Sequence, residues 1–244
     1  MINEIILAII QGLTEFLPIS SSGHLAIFSN FFSEVNISFY ILMHFSSLLA
    51  VLLFLRKEIK KIFSENKKYL IYIVIGILPA GIFGFLFKDF IEKTFSSLLY
   101  ISIGFFLTSI FLFLTKIKIK EKKINLKNSF FVGIFQVLAL FPGVSRSGIT
   151  ISSAKIFGIK NKESFNFSFL MFIPLVIGAL FIDIYEAGFS LSLNFLVPFI
   201  ICFFVSYLSL TFLNKILKKS NLWIFGIYCF LIGIFVLFKY FSLI

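Results

Sequence analysis

Long apolar runs separated by short basic segments dominate the chain. With about 20 apolar residues needed for a helical crossing, simple spans are predicted at 39–55, 69–87, 96–114, 164–183, 192–213 and 222–241. Two further apolar stretches are broken in the middle by Pro, Ser and Gly: QGLTEFLPISSSGHL, from Gln11 to Leu25, and FPGVSRSGIT, from Phe141 to Thr150. A displacement of 125 positions lays Gln11 on Gln136, Leu13 on Leu138, Phe16 on Phe141, Ser20 on Ser145, Ser22 on Ser147 and Gly23 on Gly148. Two matching half-sites are therefore expected, one in each half of the chain, with halves at 1–120 and 121–244.

The basic residues decide how these segments thread a bilayer. Of the 22 Lys and Arg, six lie in 56–68, six in 116–127, three in 155–162 and three in 215–219. Short basic loops face the cytoplasm, so those segments are assigned inside, and the loops around Glu34, Lys88–Lys93 and Asp183–Glu186 outside. Both flanks of the second broken stretch are then cytoplasmic, which makes it a re-entrant hairpin turning near Pro142–Gly143. The alternative is one kinked helix that crosses fully, which would carry 155–162 outside and break the charge pattern. With a hairpin and three crossings in each half, the halves have opposite topology. The expected fold is thus an all-α polytopic membrane protein built as an inverted repeat, its first hairpin entering from outside and both chain ends outside.

Composition narrows the class without changing this picture. Of 244 residues 59% are hydrophobic and 14% charged, and the mean hydropathy is +1.06, far above a soluble domain. The net charge of +11 invites a nucleic-acid partner, but its residues are spread over inter-helix loops, so membrane orientation accounts for them and no nucleic acid is expected. The first apolar run carries Glu4 and Glu15 and lacks a basic start, so it is expected to be retained rather than cleaved. Cys202 and Cys229 both fall inside apolar runs, where free buried thiols are expected.

Chemistry concentrates in the broken stretches. A guanidinium within an apolar segment costs at least about 2.5 kcal/mol, so Arg146 must be compensated. Between Ser145 and Ser147–Gly148, at a helix restart, it sits where free backbone amides and a positive dipole favour a phosphate or carboxylate. A salt bridge to Glu15 with no ligand is the plainer account. Gln11 and Glu15, four apart, share a helix face. With His24 they could line one polar pocket in which Glu15 holds a divalent cation or acts as general base and His24 moves a proton or orients a serine; a helix-packing network is the alternative. Ser20, Ser21 and Ser22, between Pro18 and Gly23, place hydroxyls at a turn, and Ser21 lies opposite Arg146 in the repeat alignment. Hairpins meeting tip to tip would set a hydroxyl nucleophile beside an anion clamp, as attack on phosphorus requires. Ser46, Ser47, Ser152 and Ser153 read as helix-packing serines, and His44 beside them as a buried, hydrogen-bonded histidine, with a supporting place just behind the site as the alternative.

These residues resemble the bacterial undecaprenyl-diphosphate phosphatases of the bacitracin-resistance type. The first signature stands here as Gln11, Glu15, Pro18, Ser20, Ser21, Gly23 and His24; the second, PGxSRSxxT, as Pro142, Gly143, Ser145, Arg146, Ser147 and Thr150. LPAGIFGFLFKDFIE, from Leu78 to Glu92, and FSFLMFIP, from Phe167 to Pro174, are also similar, so the likeness covers nearly the whole chain. It implies hydrolysis of a C55 polyprenyl diphosphate to the monophosphate, recycling the cell-wall lipid carrier at the outer face of the plasma membrane. It implies Ser21 as nucleophile, with His24 or water left as alternatives, Arg146 as phosphate clamp and His24 in proton transfer. Phosphate would be received by Ser20, Ser22, Gly23, Gly143, Ser145, Ser147 and Thr150. A divalent metal, Mg2+ with Ca2+ as the alternative, would sit on Glu15 and Gln11. Partners are the lipid substrate, the bilayer and, as an open option, a second copy in a homodimer. Gln11 stands where relatives often carry Glu, which removes a charge and any base role at that position. Asn166 also stands where an acidic residue is expected.

The rival from another class is an inverted-repeat transporter or flippase for a lipid phosphate. It would use Arg146 for binding but would not need an activated hydroxyl, so Ser21 discriminates the two. A purely structural membrane protein would leave an intramembrane Arg, Glu and His without purpose.

Overall fold

The computed structural model describes residues 2–29, 36–117, 119–190 and 192–242; the loop around Glu34 lies outside the described residues. Within them the chain forms α1 (Ile2–Thr14), α2 (Ser21–Ser29), α3 (Ile37–Glu65), α4 (Lys68–Leu86), α5 (Lys88–Thr94), α6 (Leu98–Leu114), α7 (Leu126–Gln136), α8 (Arg146–Ile156), α9 (Asn161–Ala187), α10 (Leu196–Lys218) and α11 (Trp223–Ser242). Short 3-10 turns extend α7 over Val137–Leu140 and precede α10 over Leu193–Phe195.

Among the described residues five helices are long and apolar enough to cross a membrane: α3, α4, α9, α10 with its leading turn, and α11. The expected span at 96–114 is shorter, α6 having 17 residues, and α5 joins it at a bend of 99°. Taken as one, the bent pair is the sixth crossing. In α4 and α11 only 22% of the most apolar stretch is buried inside the protein, so most of that apolar surface faces outward, which is stable only against lipid tails. Three segments expected as loops are helical: α3 continues through Arg56, Lys57, Lys60 and Lys61 to Glu65, Lys88–Lys93 forms α5, and Asp183–Glu186 belongs to the last turns of α9. Lys, Arg and Glu are good helix formers, so the helix runs on where the apolar run stops.

Both broken stretches break where Pro, Ser and Gly fall, and in each the two arms pack on one another, α1 on α2 and α7 on α8. α1 also lies along α10 and α7 along α4, while α3 packs on α9 and α10, and α6 on α11. The hairpin tips therefore rest inside a cage of long helices. Phe16, fully buried, anchors the first tip to α9 through edge-on contacts with Phe169 at 5.5 Å and Phe172 at 5.6 Å. Thr108 of α6 pins the second: its hydroxyl donates to the Gly143 carbonyl at 3.3 Å and accepts from the Ser145 amide at 2.9 Å. Several serines tie helices together in the same way. Ser46 donates to the Phe199 carbonyl, Ser47 bonds Ser206, and Ser102 and Ser109 of α6 donate to the Gly233 and Gly226 carbonyls of α11. Cys202 and Cys229 are free and buried.

Candidate active site

The two breaks are built alike. In the first, Ser20 takes up φ +68°, a left-handed conformation that costs a serine about 1–2 kcal/mol. α2 then restarts at Ser21 with the Ser20 hydroxyl accepting from the Gly23 amide at 3.2 Å and bonding the Ser22 hydroxyl at 3.2 Å. In the second, the chain turns at Gly143, φ +81°, and α8 restarts at Arg146. There the Ser145 hydroxyl accepts from the Gly148 amide at 3.1 Å and bonds Ser147 at 3.2 Å. These are the same N-cap bonds at the positions that the displacement of 125 aligns. Gly143 has no room for a side chain: a Cβ there would lie 2.1 Å from the Ile101 carbonyl oxygen.

The tips touch. The Ser147 hydroxyl donates to the Leu17 carbonyl at 3.3 Å, and a Cβ on Gly23 would lie 2.9 Å from Gly143 Cα. This contact brings the first residues of α2 and α8 onto a single carboxylate. Glu15 Oε2 accepts from Ser21 Oγ at 2.7 Å and from Gln11 Nε2 at 3.0 Å, and Glu15 Oε1 accepts from Arg146 Nη2 at 3.3 Å. The ion pair is secluded, with side-chain exposures of 8% for Glu15 and 17% for Arg146. The guanidinium lies over the Phe172 ring, 3.9 Å from its centroid, a cation–π contact that offsets part of its desolvation. Arg146 Nη1 is buried and has no hydrogen-bond partner. A buried charged donor left unmet costs several kcal/mol, and such groups are normally satisfied.

A cavity of about 1000 Å3 opens onto this cluster. Of the residues expected from sequence, Glu15, Ser20, Ser21, Ser22, Ser145 and Arg146 line it; Gln11, Gly23, His24, Gly143, Ser147 and Thr150 do not. Gln11 reaches the site through Glu15. Thr150 lies one turn into α8, bonded to the Arg146 carbonyl at 2.8 Å and to the Ser168 hydroxyl at 2.6 Å. His24 is packed behind the turn, Nδ1 on the Ser20 carbonyl at 2.7 Å and Nε2 on the Tyr228 hydroxyl at 2.7 Å, its ring stacked on Tyr228 and edge-on to Phe105. Both ring nitrogens are thus occupied by groups that hold the turn.

Three further residues enter the picture. Gln136 lines the cavity with its Nε2 on the Gly76 carbonyl at 3.3 Å and its Oε1 buried and unpartnered; its alignment with Gln11 was the available signal. His44 also lines the cavity, rather than being enclosed by protein, with Nδ1 on the Tyr40 carbonyl at 3.0 Å. Tyr228, which orients His24, carries no local sequence signal.

No group of three or more His, Cys, Asp or Glu that could hold a metal occurs among the described residues. Glu15 offers one carboxylate, and beside it Gln11 Oε1 is buried without a partner. One carboxylate and one orphaned amide oxygen fit a hard cation that keeps waters and takes phosphate oxygens, as Mg2+ does, and do not form a cage by themselves.

The profile of the bacitracin resistance protein BacA matches residues 4–235, which include every residue of the site described above. The chain belongs to the BacA family. Among BacA-like relatives, the undecaprenyl-diphosphatase of Thermosipho africanus is 41% identical over 248 residues, covering 97% of this chain and 99% of that one. The protein of the same name from Methanococcus vannielii is 36% identical with the same coverage. Undecaprenyl-diphosphatase 2 of Bacillus thuringiensis is 33% identical over 262 residues, covering 97% of each.

Proposed function

We infer that this chain is an integral membrane phosphatase that hydrolyses undecaprenyl diphosphate to undecaprenyl phosphate and inorganic phosphate. The observation that carries the reading is the unpartnered Arg146 Nη1 beside a serine hydroxyl already bonded to a carboxylate. An anion clamp, a nucleophile and a base stand within one cavity.

In this reading the terminal phosphate enters against Arg146 and the amides at the α2 and α8 N-termini. Ser21 Oγ attacks its phosphorus, an Oγ–P bond forms, and the bond to the bridging oxygen breaks. The prenyl phosphate leaves with the electron pair, and Glu15 takes the hydroxyl proton. Once Glu15 has passed that proton to the departing prenyl phosphate, water cleaves the phosphoserine: Glu15 takes a proton from the water and returns it to Ser21 Oγ as the Oγ–P bond breaks, releasing phosphate and restoring Ser21. Arg146 neutralises the oxygens on which charge accumulates. His24, through Ser20, holds the turn that presents Ser21. A divalent cation on Glu15 and Gln11 would supply further charge neutralisation at the phosphates.

The cavity runs from this cluster to Lys88, Tyr185 and Glu186, at the ends of α4 and α9 remote from the basic segments 56–68 and 155–162. By the charge rule that end faces outward, so the site opens to the periplasmic or extracellular side. The swapped packing of α1 on α10 and α7 on α4, together with the matching cap bonds, supports inverted halves at 1–120 and 121–244. All residues named for the step come from one chain, so a homodimer would carry two separate sites.

Purified protein in detergent, given undecaprenyl diphosphate and magnesium, should release inorganic phosphate. Folded protein that binds the lipid and moves it across vesicles without phosphate release would replace this reading with the carrier one.

A further inference from the structure

His44 stands on the cavity wall and has no part in the steps above. It belongs to α3, whose neighbouring residues Met43, Ser46 and Ser47 are buried in protein, Ser46 donating to the Phe199 carbonyl and Ser47 bonding Ser206. His44 itself is half-buried and faces the cavity together with Glu15, Ser21 and Arg146. It lies within electrostatic reach of Glu15 and, on the outward side, of Asp183 in α9. The imidazole thus flanks the way between the polar cluster and the cavity mouth.

Its ring is fixed in one tautomer. Nδ1 lies 3.0 Å from the Tyr40 carbonyl oxygen, which can only accept, so Nδ1 carries the hydrogen and Nε2 of the neutral ring is left as a bare acceptor. Nε2 has no hydrogen-bond partner among the described residues, and it is not sealed away as Gln136 Oε1 is. Other acceptors on the wall are engaged. The Ser20 and Ser145 hydroxyls hold the Gly23 and Gly148 amides, and Glu186 pairs with Lys88.

Hydrolysis of the phosphoserine calls for such an acceptor. The prenyl phosphate departs on the side of phosphorus opposite Ser21 Oγ, and water must enter from that same side to attack in line. For its lone pair to face phosphorus, both hydrogens of the water must point away, and each needs an acceptor. Glu15 takes one, because phosphorylation of Ser21 removes one of the three donors on that carboxylate. The other hydrogen has no place on Arg146 or Lys88, which only donate.

We propose that His44 Nε2 accepts the second hydrogen of this water and so positions it for attack on the phosphoserine. The proposal rests on the phosphatase reading, with Ser21 as the attacking group, and adds a residue that serves the second step alone. His44 keeps no proton: the water oxygen bonds phosphorus, the Oγ–P electron pair returns to Ser21 Oγ, and the proton passes through Glu15 as above. A role in substrate binding or packing would alter the first step too.

The test is rapid-quench turnover of undecaprenyl diphosphate by wild type, His44→Leu and His44→Gln in detergent with magnesium, reading prenyl phosphate, inorganic phosphate and the intact mass of the protein. Leucine removes the acceptor, and glutamine keeps one. His44→Leu should form prenyl phosphate in a burst of about one per enzyme, with a phosphoryl group held on Ser21. It should then turn over about tenfold or more slowly than wild type. Its kcat and KM should fall together, leaving kcat/KM within about threefold. His44→Gln should restore most of the turnover and shrink the burst. Wild-type turnover in His44→Leu, a fall in kcat/KM equal to that in kcat, or glutamine as damaging as leucine would overturn the proposal. So would slowed turnover in His44→Leu with no phosphoserine on quenching, an outcome that leaves the phosphatase reading standing. Wild type that releases no phosphate would remove that reading, and this proposal with it.

Discussion

Ser21 and Arg146, the first residues of α2 and α8, are joined through one carboxylate: Ser21 Oγ donates to Glu15 Oε2 at 2.7 Å and Arg146 Nη2 to Glu15 Oε1 at 3.3 Å. The two positions are equivalent in the two hairpins, whose cap bonds match, but they carry different chemistry. One half presents a hydroxyl and the other a cation. Like half-sites would place two hydroxyls or two cations there; in the proposed reaction the difference supplies a nucleophile on one side of the cluster and a clamp on the other.

Glu15→Gln keeps the side-chain shape and can still accept from Ser21, but it cannot take the proton. Loss of a general base typically costs about 10²–10⁴ in rate. Phosphate release should therefore fall by that order, chiefly in kcat, with substrate binding retained.

Arg146→Met should be destabilising as well as inactivating, because it leaves the secluded Glu15 carboxylate with only the Ser21 and Gln11 donors. Breaking one partner of a buried pair costs about 3–5 kcal/mol. Adding Glu15→Gln should recover part of that loss. A double-mutant cycle on thermal unfolding in detergent measures the coupling, and additive losses would argue against it.

Much of the fold was legible because apolar runs, basic loops and Pro-Gly breaks act locally. The crossings at α3, α4, α9, α10 and α11, and the turns after Glu15 and at Gly143, follow from composition over short stretches. What did not follow has two causes, local helix propensity outlasting the apolar run and contacts distant in sequence. α3 overruns into 56–65 because helix formation does not stop at the membrane boundary. Which side of a helix lines the cavity was hidden, since faces toward lipid and toward protein are both apolar in such helices. The packing of α3 and α7 is thus what sets His44 and Gln136 on the cavity wall, although the repeat already aligned Gln136 with Gln11. For His24 the motif allowed proton transfer or the orienting of a serine, and its partner Tyr228, 204 positions away, was not legible locally.

Gly143→Ala should harm the site indirectly. Its φ is +81° and an added Cβ would lie 2.1 Å from the Ile101 carbonyl oxygen, so the turn must shift. Destabilisation should exceed about 1 kcal/mol, with a fall in activity as Arg146 moves. Thermal unfolding beside phosphate release separates this from a variant altered in chemistry alone.

Magnesium alone should leave the unfolding temperature unchanged at millimolar concentration, since one carboxylate and one amide oxygen do not make a cage. Ligand stabilisation grows with occupancy of the folded state, so magnesium together with a non-hydrolysable prenyl diphosphate should raise it. Chelation should stop phosphate release without unfolding the protein. A large shift from magnesium alone would point to a preformed metal site.

The most direct test sets two neighbouring serines against each other. Ser21 bonds the Glu15 carboxylate, whereas Ser22 bonds Ser20. Phosphate release from undecaprenyl diphosphate, measured for Ser21→Ala and Ser22→Ala at equal folded protein, should be abolished in the first and retained within about tenfold in the second. Retention in Ser21→Ala with loss in Ser22→Ala would contradict the assignment of Ser21 as the attacking group.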